Sequence, residues 1–461
     1  MARIQTTFLF NFFFFMCFML FSIFPINNFI LVHSLHQKQH FDVLNVASSI
    51  HKTLQIFSKT SPQIRYPNRP LIPTTVTPTN SSVLSLSLHP HVSIVKPRHQ
   101  NYSALTLSRL ASDSARVSSI HSKLQLAIPK PVLKDLQAPI TSGESQGTFE
   151  YLARVGFGRP VKEFYMTIDT GSNINWLQCQ PCDSCYKQSD PIFDPPGQPV
   201  LILYHAPRSS VILLVSTGVV VTRVGSVDNV AVGCGHDNEG LFYGSAGLIG
   251  LGAGDLSFPS QIKATSFSYC LVDMDSHSSS TLEFNSVPPS DSIIVPMVHN
   301  PKFDAFFYVD LVGISVAGQQ LSIQPSIFQV QPDGSGGVIV DSGTVVTRLV
   351  TQAYNSLRDT FVKYATNLPS TSGYSLFDTC FDLSSVPDDV KVPAVSFHFS
   401  GGKTLPLNSR NCLFPVDSRG KFCFAFAPSE SVSIIGNIQQ QETRVSYDLT
   451  SKLIGFSPNK C

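Results

Sequence analysis

Phe164-Tyr-Met-Thr-Ile-Asp169-Thr-Gly-Ser172 and Gly337-Val-Ile-Val-Asp341-Ser-Gly-Thr344 are two copies of one signal. In each, a strand-like apolar run delivers an aspartate into a turn, followed by a hydroxyl residue, a glycine and a second hydroxyl residue. An apolar-apolar-Gly element trails each copy: Ala246-Gly-Leu-Ile-Gly-Leu-Gly252, then Ile434-Ile-Gly436. A lone Asp-small-Gly triplet is an ordinary turn. Two copies, each behind a strand and each with the same downstream element, are an internal duplication at a longer period than repeat arrays show. The expected fold is all-β, with two similar lobes that each present one carboxylate.

Two carboxylates brought close together cannot both ionise cheaply, so one is held anionic and the other keeps its proton. The anion can draw a proton from water while the acid hydrogen-bonds a carbonyl oxygen, and the two then exchange roles. Gly171 and Gly343 lack side chains, so their N–H groups can approach the carboxylates. Ser172 and Thr344 can donate to the outer oxygens, and Thr170 and Ser342 can brace the two turns against each other. The pattern thus nominates Asp169 and Asp341 as catalytic residues, supported by Thr170, Gly171, Ser172, Ser342, Gly343 and Thr344.

The 461 residues are charge-poor, with 14% charged and 43% hydrophobic, and the 34 Phe, 32 Pro and 28 Gly point to a strand-rich, turn-rich chain. A net charge of +1 argues against a nucleic-acid binder that works through a global basic field. That balance hides an asymmetry. Residues 1–146 hold 13 Lys/Arg against 4 Asp/Glu, whereas residues 147–461 hold 19 against 27.

Arg3 precedes an apolar stretch whose heart, residues 12–24, is broken only by Ser22. Its length and its Asn and Pro flanks fit a secretory signal (residues 1–34), not a membrane span. Residues 35–146 read either as a disordered N-terminal extension or as a cleavable prosegment that lies on the acidic body. Residues 60–97, with repeated Pro and no sustained period, read as linker. From Leu105 to Leu126, Leu107, Leu110, Val117, Ile120 and Leu124 recur at helical intervals among Arg109, Arg116 and Lys123, as in a basic amphipathic helix. Both glycosylation sequons, at Asn80 and Asn101, lie in this front region. Residues 147–285 and 286–461 are the two lobes.

Nine cysteines follow the signal, and in a secreted chain these are disulfide candidates. Cys179-x-x-Cys182-x-x-Cys185 invites a zinc reading, but no second pair lies close by, so a tight disulfide knot is expected. An odd count leaves at least one thiol free or paired between chains. His236 and His398 have no metal-ligand neighbours at helical spacing. No metal and no cofactor is expected.

The body resembles the pepsin-type aspartic proteases, in particular the plant secreted group that includes nepenthesin. The resemblance rests on the two Asp loops, Glu150-Tyr-Leu-Ala-Arg-Val-Gly, Asn175-Trp-Leu-Gln-Cys179, Gly233-Cys-Gly-His-Asp-Asn-Glu-Gly240, Phe267-Ser-Tyr-Cys270, Phe377-Asp-Thr-Cys380 and Ile434-Ile-Gly-Asn-Ile-Gln-Gln-Gln441. It implies a bilobal fold with a central cleft, Asp169 and Asp341 as the dyad, and a Cys380–Cys423 bond. It also implies that Cys461 ties the tail to Cys234 or Cys270. The implied protein is a monomeric, acid-active endopeptidase made as a zymogen. Its substrate is a polypeptide and its inhibitor is its own prosegment. Nucleic acid and a stable membrane anchor are not expected, and the destination is extracellular, apoplastic or vacuolar.

The group's Tyr-Gly-Asp-Gly flap motif is missing between Asp169 and Gly247. Residues 195–226 do not resemble the group, which suggests either a shortened lobe or a mis-spliced exon, and the abrupt return of the resemblance at Asp228 favours the second. Neither Tyr204 nor Tyr243 makes a convincing flap tyrosine. The missing flap supports one alternative function, a catalytically impaired protease-like binding protein.

Overall fold

The computed structural model describes residues 40–58, 84–127, 151–158, 160–195, 211–212, 218–221, 226–238, 242 and 244–461. The signal segment, Asn80, Tyr204 and Tyr243 lie outside the described residues, as do residues 196–210.

Strands dominate. A broad antiparallel sheet runs through both halves of the chain. Tyr151–Phe157 pairs with Leu84–Pro90, which pairs with Ser280–Phe284, then Ser266–Cys270, Thr443–Asp448, Leu453–Pro458 and Ile293–Val298. The register places Leu88 opposite both Ala153 and Ser280, and Phe267 opposite Tyr447. Phe267 and Tyr447 stack with ring centroids 4.4 Å apart at an interplanar angle of 9°. Offset stacking of this kind adds to the burial of the two rings.

The strand Leu84–Pro90 corrects the linker reading of residues 60–97. Leu and Ser alternate through Leu84-Ser-Leu-Ser-Leu-His-Pro, and Leu86 and Leu88 are buried. A period of two puts every second side chain on the core face. The front of the chain therefore supplies a strand inside the sheet, hydrogen-bonded on both sides. A second front strand, Phe41–Asn45, pairs with Asp389–Pro393. The helix Val46–Gln55 follows it, capped where the Asn45 side chain accepts from the Ser48 N–H.

Each half also contains a parallel pairing that launches one Asp loop. Lys162–Asp169 lies beside Gly247–Gly250, with Asp169 opposite Gly250. Val338–Val340 lies beside Ser433–Ile435, with Ile339 opposite Ile434. The apolar-apolar-Gly elements are thus the strands that flank the two Asp strands. Their glycines are required by close approach. A Cβ on Gly250 would lie 2.6 Å from the Ser172 carbonyl oxygen, and one on Gly436 would lie 2.7 Å from that of Val345.

Four disulfides join described residues: Cys179–Cys234, Cys182–Cys185, Cys270–Cys461 and Cys380–Cys423. Of the two partners considered for Cys461, it meets Cys270. Cys185 closes a small loop with Cys182. Cys412 is a buried free thiol. No described helix is long and apolar enough to cross a membrane.

Because Leu88 is fully buried in a central strand, Leu88→Ala should lower the stability of the full chain by about 2–5 kcal/mol. Denaturant titration of the two proteins measures this. A loss under about 0.5 kcal/mol would mean that the front strand is only loosely attached.

Candidate active site

The two loops meet at the bottom of a cleft. The Ser342 N–H donates to Thr170 Oγ1 (2.9 Å), the Thr170 N–H donates to Ser342 Oγ (3.2 Å), and Thr170 Oγ1 donates to the Val340 carbonyl (3.3 Å). Each loop thereby holds the other, and all of these groups are buried. Gln440 steadies the second loop from below by donating to the carbonyls of Asp341 (3.2 Å) and Ile435 (2.8 Å), and it accepts from the Tyr269 hydroxyl (2.5 Å).

The carboxylates are held by matching donors. Gly171 N–H donates to Asp169 Oδ1 (2.9 Å) and Gly343 N–H to Asp341 Oδ1 (3.1 Å). Ser172 Oγ donates to Asp169 Oδ2, and Thr344 Oγ1 donates to Asp341 Oδ2 (2.6 Å). A Cβ on Gly171 would lie 2.8 Å from Asp341 Oδ1, and one on Gly343 would lie 2.4 Å from Asp169 Oδ1. Each glycine makes room for the opposite carboxylate, which explains why this position in the triplet has no side chain. All eight nominated residues converge on this one point.

A residue from the front of the chain occupies the space between the carboxylates. The helix Tyr102–Ala127 lies in the cleft and directs Arg116 at the pair. Arg116 Nη2 donates to Asp169 Oδ1 at 2.6 Å and lies 3.3 Å from each oxygen of Asp341. Burial pulls the Asp169 carboxyl upward, yet the Arg116 guanidinium, the Ser172 hydroxyl and the Gly171 N–H outweigh it and hold the group below the usual carboxylate range. Burial also raises Asp341. Arg116 counters this only in part, the charge on Asp169 adds to it, and the group ends above that range. The two environments thus push the carboxyls apart, Asp169 toward the anion and Asp341 toward the acid.

The helix is anchored on both sides of Arg116. Asp113, one turn earlier, accepts from the N–H groups of Val345 (2.6 Å) and Val346 (3.2 Å) and from the Arg348 guanidinium. Arg109 Nη1 donates to Asp275 (2.8 Å), as does the Tyr102 hydroxyl (2.5 Å). Val117, Ile120 and Leu124 pack against Phe306, Tyr308, Ile339, Val432 and Ile434 of the second lobe. Leu107, expected on the apolar face, is instead 47% exposed, and Leu105 is buried. The periodicity finds the helix but misplaces one edge of its stripe. Arg116 was visible as part of a basic helix, although nothing in the pattern says where it points. Asp113 and Arg348 carry no local signal at all, since their pairing spans 235 positions.

Among the described residues no cluster of His, Cys, Asp or Glu could hold a metal ion. His236 Nδ1 lies 2.6 Å from the Pro181 carbonyl oxygen, and His398 lies between Thr404 and Ser315.

Comparison with known proteins agrees with this geometry. The family profile described as xylanase inhibitor N-terminal matches residues 151–200 and 203–285, and the one described as xylanase inhibitor C-terminal matches residues 306–458. The first runs through most of residues 195–226, the stretch in which the motifs of the group are missing. The chain is 45% identical over 394 residues to aspartyl protease family protein 2 of Arabidopsis thaliana, covering 77% of this chain and 81% of that one. It is 40% identical over 400 residues to the protein Aspartic Protease in Guard Cell 2 of the same plant (79% and 84% covered). It is 36% identical over 381 residues to aspartic proteinase nepenthesin-2 of Nepenthes gracilis (75% and 83% covered). Among solved structures, edgp and soybean basic 7S globulin share the fold. Their TM-scores are 0.53 and 0.51, each at 17% identity, covering 69% and 68% of this chain and 93% and 94% of theirs. With two lobes that each bring one aspartate loop to a common cleft, and with relatives this similar over most of their length, the chain belongs to the plant aspartic protease family.

Proposed function

We propose that the chain is the zymogen of an acid-active aspartic endopeptidase, with Asp169 and Asp341 as the catalytic pair and the front region as its inhibitor. The observation that carries this reading is the meeting of two buried carboxyls, each held by its own loop, with one favoured as anion and one as acid. In the active form a water lies between them. Asp169 takes a proton from that water as it attacks the scissile carbonyl carbon, and protonated Asp341 donates to the carbonyl oxygen. The proton on Asp169 then passes to the leaving nitrogen as the C–N bond breaks, and Asp341 recovers its own. The hydrogen bonds from Gly171, Ser172, Gly343 and Thr344 keep both carboxyls in place throughout.

Arg116 and the attacking water are mutually exclusive, because the guanidinium nitrogen already fills the position within reach of both carboxyls. The full-length chain is therefore inhibited while the helix stays docked. Docking depends on pH through carboxyls of two opposite kinds. Asp169 is depressed by Arg116 despite its burial, and Asp273 is depressed by Arg410 and Lys52 despite its own. Of these cations, Arg116 and Lys52 belong to the front region. A depressed carboxyl contributes stability that is present above its ordinary range and lost as the pH falls through the depressed value. Asp341 has the opposite sign. Its neutral form is favoured, so its contribution is present below the ordinary range and is lost as the pH rises through the raised value. Acid therefore weakens the hold on the front region through Asp273 and Asp169, whereas Asp275 and Asp341, raised chiefly by burial, act in the opposite sense, and cleavage itself needs a pH at which Asp169 is still the anion and Asp341 the acid. The reading includes a secretory route, which the apolar stretch of residues 12–24 supports, a polypeptide substrate and a monomeric protein. The alternative of an impaired binding protein has only the missing flap motif behind it.

Two outcomes are expected. Asp169→Asn and Asp341→Asn should each lower pepstatin-sensitive cleavage of denatured globin by roughly 10⁴-fold or more, and retention of a tenth of the activity by either variant would refute the assignment. Arg116→Gln should move the onset of activity to higher pH than in the parent chain, read as the midpoint of an activation curve. An unchanged midpoint would mean that the guanidinium does not restrain the enzyme.

A further inference from the structure

The Asp113 carboxylate lies in a receptor that belongs to the body of the protein. Oδ1 accepts from two successive backbone N–H groups, Val345 at 2.6 Å and Val346 at 3.2 Å, and Oδ2 accepts from the guanidinium of Arg348. The three donors follow directly on the catalytic loop that ends at Thr344. Arg348 belongs to the strand Thr347–Val350, which is fixed on both sides. It pairs in parallel with Phe426–Ser429, and Arg348 itself lies opposite Ile434. Asp113 is fully buried there, and the Arg348 side chain is 7% exposed beneath the helix. Among the described residues, Asp113 is the one acid in an ion pair with Arg348, and the two N–H groups have no other acceptor.

The reading above has the helix leave when the enzyme matures. The donors remain, because they are built into the second lobe. Two N–H dipoles and a guanidinium then line the substrate cleft with no anion between them. Neutral main-chain atoms can satisfy the N–H groups, but they leave the guanidinium without a counter-charge. A carboxylate satisfies all three, as Asp113 does, through charge-assisted bonds of the stronger kind.

We propose that this receptor is a substrate subsite that takes an acidic side chain, so that the mature protease prefers peptides carrying Asp or Glu near the scissile bond. This proposal rests on the zymogen reading. Asp113 and Arg116 are three positions apart on one helical face, a rise of about 4.5 Å. An extended peptide advances about 3.3 Å per residue. With Arg116 marking the point of cleavage, the acidic side chain belongs one to three residues from the bond.

The test uses the full-length chain, activated in acid and assayed at pH 5, where a peptide glutamate is largely ionised. Fluorogenic peptides carry Glu or Gln at each position from three residues before to three residues after the scissile bond. One position should show a kcat/KM ratio for Glu over Gln of about tenfold or more. In Arg348→Gln that ratio should fall to about one. The ratio is internal to each preparation, so a loss of folded protein does not alter it. Ratios within about twofold at every position, or a preference that survives in Arg348→Gln, would overturn the proposal. Binding of the same peptides with a reduced, uncleavable bond, followed by fluorescence anisotropy, separates the two readings. Discrimination in binding that depends on Arg348, without any cleavage, would keep the subsite and remove the endopeptidase. Cleavage without discrimination would do the reverse, and the absence of both would remove both.

Discussion

Two carboxyl groups buried side by side, with a single guanidinium between them, form the interaction on which this protein is organised. Neither carboxyl could be ionised in that environment without partners. The loops provide them in matched sets: a glycine N–H and a hydroxyl for each aspartate, with Thr170 and Ser342 locking one loop to the other. The duplicated strands exist to deliver those loops. The broad sheet through both halves fixes the distance between them.

The front of the chain is bound to this site by chemistry opposite in sign to what it covers. Arg116 faces the two carboxyls, Asp113 faces Arg348, Arg109 faces Asp275 and Lys52 faces Asp273. Buried ion pairs add little when desolvation is set against attraction, but removing one partner leaves a charge stranded at a cost of about 3–5 kcal/mol. Such contacts make docking conditional on charge. The apolar contacts of Val117, Ile120 and Leu124 with the second lobe, and the strand Leu84–Pro90 within the sheet, supply attachment that acid does not touch. Acid thus acts on the pairs at Asp169 and Asp273, while these apolar and main-chain contacts persist.

Much of the fold and the dyad was legible in the sequence because their signals are local. A strand, an aspartate, a glycine and two hydroxyls within a few residues state their own geometry, and the duplication repeats it. The helix over residues 102–127 was legible from its period. Its target was not, since a stripe of charge shows a face without showing what the face meets. The Ser–Leu alternation of residues 84–88 does carry the period of a strand, but the prolines on either side conceal it. The partnership of Asp113 with Val345, Val346 and Arg348 joins segments more than 230 positions apart and leaves no trace in either. The choice of Cys270 for Cys461 likewise depends on which strands become neighbours.

The central claim is that Asp169 and Asp341 share one site and divide one charge. Carboxyl-carbon NMR titration of the two residues in the full-length chain tests it most directly. The account predicts that Asp169 titrates below the ordinary aspartate range and Asp341 above it, each curve bent by the other. Two independent curves centred together near the ordinary value of about 3.9 would contradict it.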